Sequence, residues 1–203
     1  MIDEIANRIT NYIKRNTKNI SEEKAEIINY GMNILIYQSL IILAIFTFAV
    51  ILGLTKYISI AVVIFAILRV FAGGAHANSR IECAVMNFTT LFGTVVISKY
   101  LWAESWIPAI ALYAINVIIV CIYAPGDTVQ KPIISPKRKM LQKIISILIV
   151  IALFIFTLFT WKNDRVLYNI FLICPFLTLL ILTPIGYKLF KCKHSFGDPL
   201  THY

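Results

Sequence analysis

The sequence predicts an all-α, polytopic membrane protein with about six transmembrane helices, preceded by an N-terminal amphipathic interfacial helix. Three observations predict it. The 203 residues are 59% hydrophobic and only 14% charged, more apolar surface than one soluble core of that size can hide. The apolar runs are long and unalternating, which suits membrane helices of about 20 residues and not the roughly 10-residue alternating strands of a membrane β-barrel. The 19 Lys and Arg residues cluster between those runs on alternate sides, as the positive-inside rule requires.

The elements follow in order along one membrane domain, residues 1–203. Residues 1–30 make an amphipathic region at the cytoplasmic face, in which Ile2, Ile5, Ile9, Tyr12 and Ile13 recur at helical spacing with Arg8, Lys14 and Arg15 between them. Ser21 offers an N-cap ahead of Glu22 and Glu23, so a second short helix is expected to lead into the first span. The transmembrane bundle, residues 31–187, contains six candidate spans at 32–53, 57–72, 83–101, 106–124, 142–161 and 166–187, and residues 188–203 form a cytoplasmic tail. Because the first apolar run begins only near residue 32, no cleavable signal peptide is expected and the N-terminus should be retained.

Three punctuation points matter. The short second span ends at Arg69 and Gly73-Gly74, so it is expected to stop inside the membrane or lead into a re-entrant segment. The stretch from Ala124 to Pro136 holds three prolines and Gly126, which excludes a continuous helix there and leaves an ordered turn or a lid. Pro175 and Pro184 should kink the last span or leave backbone carbonyls free.

With six spans, fifteen cations fall on one side and four, Lys56, Lys99, Lys162 and Arg165, on the other. That asymmetry places both termini in the cytoplasm. The net charge of +9 reads first as topology and attraction to an anionic bilayer. The same face would also draw in an acidic peptide, and Lys131, Lys137, Arg138 and Lys139 are the candidate cations. Nucleic acid is not an expected partner, because no nucleic-acid-binding motif accompanies the charge. Oligomeric state is left open, with a homodimer among the options.

One stretch carries chemistry: Arg69-Val70-Phe71-Ala72-Gly73-Gly74-Ala75-His76-Ala77-Asn78-Ser79-Arg80-Ile81-Glu82-Cys83. A thiolate is the competent nucleophile, and an imidazole beside it can take the thiol proton and stabilise the anion. On one straight helix, positions 76 and 83 would share a face but lie roughly 10 Å apart along the axis. The segment must therefore bend, which Gly73 and Gly74 permit, bringing His76 on a loop toward Cys83 at the start of the third span. A helix N-terminus at Cys83 would favour the thiolate. The spacing alone is a weak signal, since a cysteine on an apolar face is most often packing. Arg69 is expected either to snorkel to the interface or to pair with a substrate carboxylate or carbonyl, and Glu82 either to orient His76 or to be solvated.

Arg69, Gly73-Gly74-x-His76-Ala77 and Cys83 resemble the signature of the AgrB family of accessory gene regulator membrane peptidases, and Tyr123-Ala124-Pro125-x-x-Thr128-x-x-x-Pro132-Ile133 resembles a second segment of that family. The resemblance extends over essentially the whole chain. It implies Cys83 and His76 as catalytic pair, Arg69 and Gly74, with its neighbour Gly73, as supporting residues, a bacterial cell membrane, and an AgrD-like propeptide as partner. It implies a quorum-sensing role: a cysteine endopeptidase that removes the propeptide's acidic tail through an acyl thioester and assists thiolactone or lactone closure. No cofactor is expected.

The other candidates are weaker. Cys121 and Cys174 lie in apolar spans and read as packing, Cys192 with His194 supplies too few ligands for a metal, and a reducing cytoplasm argues against a disulfide. The alternative of another class is a membrane transporter or exporter of a small peptide without proteolytic activity. It would call for charged groups inside the membrane, and the central stretches lack Asp and Glu. A membrane S-acyltransferase would share the Cys-plus-His economy but take its acyl group from acyl-CoA.

Overall fold

A computed structural model describes residues 2–17, 20–75, 79–101, 105–126 and 135–190. Among these, eight helices and no strand occur: α1 (Ile2–Asn16), α2 (Glu22–Ile51), α3 (Thr55–Phe71), α4 (Arg80–Tyr100), α5 (Ile107–Tyr123), α6 (Pro136–Thr160), α7 (Arg165–Leu180) and α8 (Pro184–Leu189). Helices α2, α4 and α6 are long and apolar enough to cross a membrane, and α5 and α7 are shorter apolar helices. The fold is that of an all-α polytopic membrane protein.

Residues up to Gly53 form one compact unit and those from Leu54 onward a second. In the first, α1 lays Ala6 and Thr10 against the start of α2, the Thr10 hydroxyl lies 3.5 Å from Asn29 Oδ1, and Lys14 pairs with Glu22. Tyr12 stays 70% exposed, as an amphipathic interfacial helix requires. Ser21 caps α2 by accepting from the Lys24 amide at 3.4 Å. The expected separate short helix after Ser21 is not found. Glu22 to Ile51 is one unbroken helix of 30 residues, because nothing between the cap and the apolar run, neither Pro nor a Gly pair, interrupts its hydrogen-bond ladder.

In the second unit α3 to α7 run up and down, with α7 packed against α3, α4, α5 and α6. Its centrality follows from composition: Tyr168, Asn169, Ile170, Cys174 and Thr178 are all buried, on more than one face of the helix. Pro175 has no N–H to offer the carbonyl of Phe171, four residues back. That carbonyl is satisfied from α5, where the Tyr113 hydroxyl donates to it at 2.7 Å while pairing with Thr157 Oγ1 of α6 at 2.9 Å. An unpaired carbonyl in a membrane interior costs several kcal/mol, so one tyrosine offsets the proline and ties three helices. At the same end Asn169 donates to the Ser98 and Leu101 carbonyls, both at 3.0 Å, the Tyr168 hydroxyl donates to Ser105 O at 2.9 Å, and Lys56 pairs with Asp164 at 2.9 Å.

The last span differs from expectation. Helix α7 ends at Leu180, residues 181–183 turn, and Pro184 opens the separate six-residue α8. The proline that was expected to kink the span divides it, since its ring clashes with the carbonyl of Leu180. Helix α6 likewise begins at Pro136, six residues before the expected span, so Lys137, Arg138 and Lys139 stand in its first turn and not in a loop. A proline at N1 starts a helix readily.

Candidate active site

The end of the second unit opposite Asn169 is built around the C-terminus of α3. Ala72 closes that helix, and Gly73 (φ 77°) and Gly74 (φ 116°) reverse the chain in conformations that side chains resist. Space enforces the same choice. A Cβ on Gly73 would lie 2.2 Å from the Gly126 carbonyl oxygen, and one on Gly74 would lie 2.8 Å from an Arg69 guanidinium nitrogen. The loop is clamped on two sides. Gly126, just past α5, donates to the Ala72 carbonyl at 2.8 Å and accepts from the Gly74 amide at 3.4 Å, while Ala75 N–H donates to Ile181 O, in the turn after α7, at 3.3 Å.

Arg69 completes the clamp from within. Its guanidinium donates to the Gly73 carbonyl at 3.2 Å and to the Ala75 carbonyl at 3.0 Å. A rigid two-pronged donor suits two carbonyls of one tight turn, which a lysine ammonium would match less well. Neither alternative read from sequence, snorkelling or pairing with a substrate group, named these partners, which are carbonyls of the protein's own loop.

Cys83 sits in the first turn of α4. Ser79 caps that helix, accepting from the Glu82 amide at 3.1 Å through its side chain and from the Cys83 amide at 3.1 Å through its carbonyl. The cysteine is half-buried, and the Arg69 guanidinium lies within electrostatic reach of its thiol. Asn87, one turn deeper and 3% exposed, directs its amide nitrogen to the Cys83 sulfur at 3.9 Å. Glu82 is exposed. Cys174 is fully buried with its thiol 3.5 Å from Ala61 O, which is packing as expected, whereas Cys121, also read as packing, is exposed on α5.

The structure thus brings Arg69, Gly73, Gly74 and Cys83 to one end of the bundle. His76 and Lys131 lie outside the described residues, as do Cys192 and His194. Lys137, Arg138 and Lys139 are exposed at the same end, where α6 begins. No cluster of three metal-ligating side chains occurs among the described residues.

Comparison with known proteins decides the family. The family model "Accessory gene regulator B" (AgrB) matches residues 6–183. The chain belongs to the AgrB family. It is 31% identical over 163 residues to the accessory gene regulator protein B of Staphylococcus aureus strain MRSA252, covering 79% of this chain and 83% of that one. It is 27% identical over 183 residues to an AgrB-like protein of Clostridium perfringens, covering 85% and 75%, and 30% identical over 153 residues to a second AgrB-like protein of that species, covering 70% and 69%. No solved structure matches. AgrB membership implies a role in accessory-gene-regulator quorum sensing at a membrane, with an AgrD-related partner.

Three neighbours of this AgrB site, Gly126, Tyr187 and Asn87, were missed in sequence. Gly126 and Tyr187 meet at the loop, a Cβ on Gly126 falling 3.0 Å from the tyrosine hydroxyl. Ala124-Pro125 within the second family-like segment was the available signal, and Gly126 is the next residue. Nothing in spacing or periodicity marks Tyr187 or Asn87.

Proposed function

We propose that this AgrB-family chain is a membrane cysteine endopeptidase acting on an AgrD-like propeptide, with Cys83 as nucleophile and His76 as base and acid. The observation that carries the reading is Arg69. Its guanidinium fixes the loop leading to His76 at the end of the bundle where Cys83 opens α4, so the two halves of the pair converge there. Thiolate chemistry needs that combination of a positioned sulfur, a nearby cation and an imidazole partner.

In the first step Cys83 Sγ bonds to the carbonyl carbon joining the signal segment to the acidic tail. The peptide C–N bond breaks, and His76 passes the thiol proton to the departing amine, leaving an acyl thioester. In the second, a Cys thiol or Ser hydroxyl of the peptide attacks that thioester, closes a thiolactone or lactone, and returns the proton to Cys83. A site with little water favours this internal attack over hydrolysis.

The reading includes a topology. Six spans cross the membrane, both termini and the Cys83 end face the cytoplasm, and Lys131, Lys137, Arg138 and Lys139 receive the acidic tail. The placement of Lys137, Arg138 and Lys139 supports that role, because cations in a helix's first turn oppose its dipole and need a compensating anion.

Co-expression with a propeptide, read by mass, tests the activity. Cys83→Ala and His76→Ala should each abolish release of the tail while the protein still inserts, whereas Cys121→Ala and Cys174→Ala should still cleave. Normal cleavage by Cys83→Ala would refute the mechanism, and export of an uncut peptide would favour a transporter.

A further inference from the structure

The side chain of Asn87 has an amide that the chemistry described above does not use. It lies one turn below Cys83 on the inward face of α4, in line with Leu91 and Thr94, which are 2% and 0% exposed. At 3% exposed the amide is almost wholly withdrawn from solvent, on a helix that crosses the membrane, where a polar side chain is retained only if something compensates its desolvation. Its Nδ2 points at the Cys83 sulfur from 3.9 Å. That is long for a hydrogen bond to a neutral thiol, and an ionised sulfur draws a donor closer and holds it more strongly, the more so in a medium of low dielectric.

We propose that Asn87 is a positioning residue for Cys83, its amide N–H holding the thiolate from the membrane side while Arg69 acts on it from α3. A donor aimed at the sulfur would fix the direction of its lone pairs as well as the population of the anion. The proposal deepens the cysteine-peptidase reading and rests on it for its effect on turnover, but not for its effect on the thiol. Among the described residues, the charged groups near Cys83 are Arg69 from α3 and, in the neighbouring positions of α4, Arg80 and Glu82, with His76 added by the proposed chemistry. Helix α7, packed on α4, carries its one charged residue, Arg165, at the other end.

The experiment uses the full-length protein in detergent micelles without any propeptide. Iodoacetamide alkylation of Cys83 is followed by peptide mass mapping across a pH series, with Cys174 as internal control because its burial protects it while the bundle is folded. Asn87→Leu should move the midpoint of Cys83 alkylation to higher pH and slow the reaction at neutrality roughly three- to tenfold. Above the midpoint the rates should converge, which separates loss of thiolate from loss of access. Asn87→Asp, the same shape with a like charge and no donor, should move the midpoint further. With propeptide supplied, Asn87→Leu should lower kcat and leave KM near its starting value.

Midpoints unchanged in both variants, with Cys174 still protected, would overturn the proposal. If Asn87→Leu exposes Cys174, Asn87→Asp and Asn87→Ser decide by the same criterion. A shifted midpoint in a protein that cleaves no propeptide would refute the peptidase reading and leave this inference standing. Full peptidase activity with an unshifted midpoint would do the reverse.

Discussion

A Cβ at Gly126 would come within 2.8 Å of the Gly74 nitrogen and 2.9 Å of its Cα, backbone atoms that cannot yield unless the loop moves. Gly126→Ala should therefore push the segment before His76 out of place. Because misplacing a reacting group by about 1 Å can cost a hundredfold, cleavage should fall roughly ten- to a hundredfold, with membrane insertion unaffected. Turnover measured on equal amounts of inserted protein checks this, and an Ala variant as active as the parent would mean that the clamp is dispensable. Legibility in sequence ended at this kind of contact. Arg69, Gly73, Gly74 and Cys83 are local in sequence, and their residue types carry their chemistry, so they could be read directly. Gly126, Tyr187 and Asn87 act through packing of α3, α4, α5 and α8, and the near-complete burial of an asparagine, 3% exposed, leaves no trace in spacing.

At the scale of elements, helix starts are written in residue chemistry more plainly than helix ends. Ser21, Ser79 and Asp164 cap α2, α4 and α7, each accepting from an amide three residues on. Prolines were legible as interruptions but not in their outcome. Pro175 is absorbed because Tyr113 happens to reach the carbonyl it leaves free, while Pro184 ends the helix, and the difference lies in neighbours contributed by other helices. The first turn of α6 gives a prediction of its own. Replacing Lys137, Arg138 and Lys139 with Gln, alone or together with Lys131, should raise the apparent KM for propeptide more than it lowers kcat, and added salt should weaken the parent in the same way. Removing cations from a helix N-terminus should also stabilise that turn by a few tenths of a kcal/mol each. A KM insensitive to both salt and substitution would reduce these residues to a topology signal.

For the whole molecule, the described cations of the second unit sort to two ends, as an up-and-down bundle with asymmetric loops requires. Arg69, Arg80, Lys137, Arg138, Lys139, Lys143 and Lys188 stand with Cys83, and Lys56, Lys99, Lys162 and Arg165 stand at the other end. Composition made the membrane class legible because 59% hydrophobic residues leave a chain of this size few other solvents. It could not show which ends meet, since side-to-side placement of helices depends on packing and not on hydropathy. The proposed topology, with the richer end in the cytoplasm, predicts that an impermeant thiol reagent added outside intact cells leaves Cys83 and Cys192 unlabelled and that inverted vesicles allow both to react. External labelling of Cys192, in protein otherwise free of cysteine, would overturn the six-span arrangement.

The central claim is that Cys83 carries an acyl group between cleavage and ring closure. A propeptide whose ring-forming Cys is replaced by Ala can pass the first step and has no attacker for the second. The intact enzyme, quenched at short times and weighed, should gain the mass of the N-terminal peptide fragment in a bond that neutral hydroxylamine removes. Cys83→Ala should never form the adduct, and His76→Ala should not accumulate it. Rapid cleavage of that propeptide with no adduct at any time would contradict the account and point to direct hydrolysis, with ring closure left to another protein.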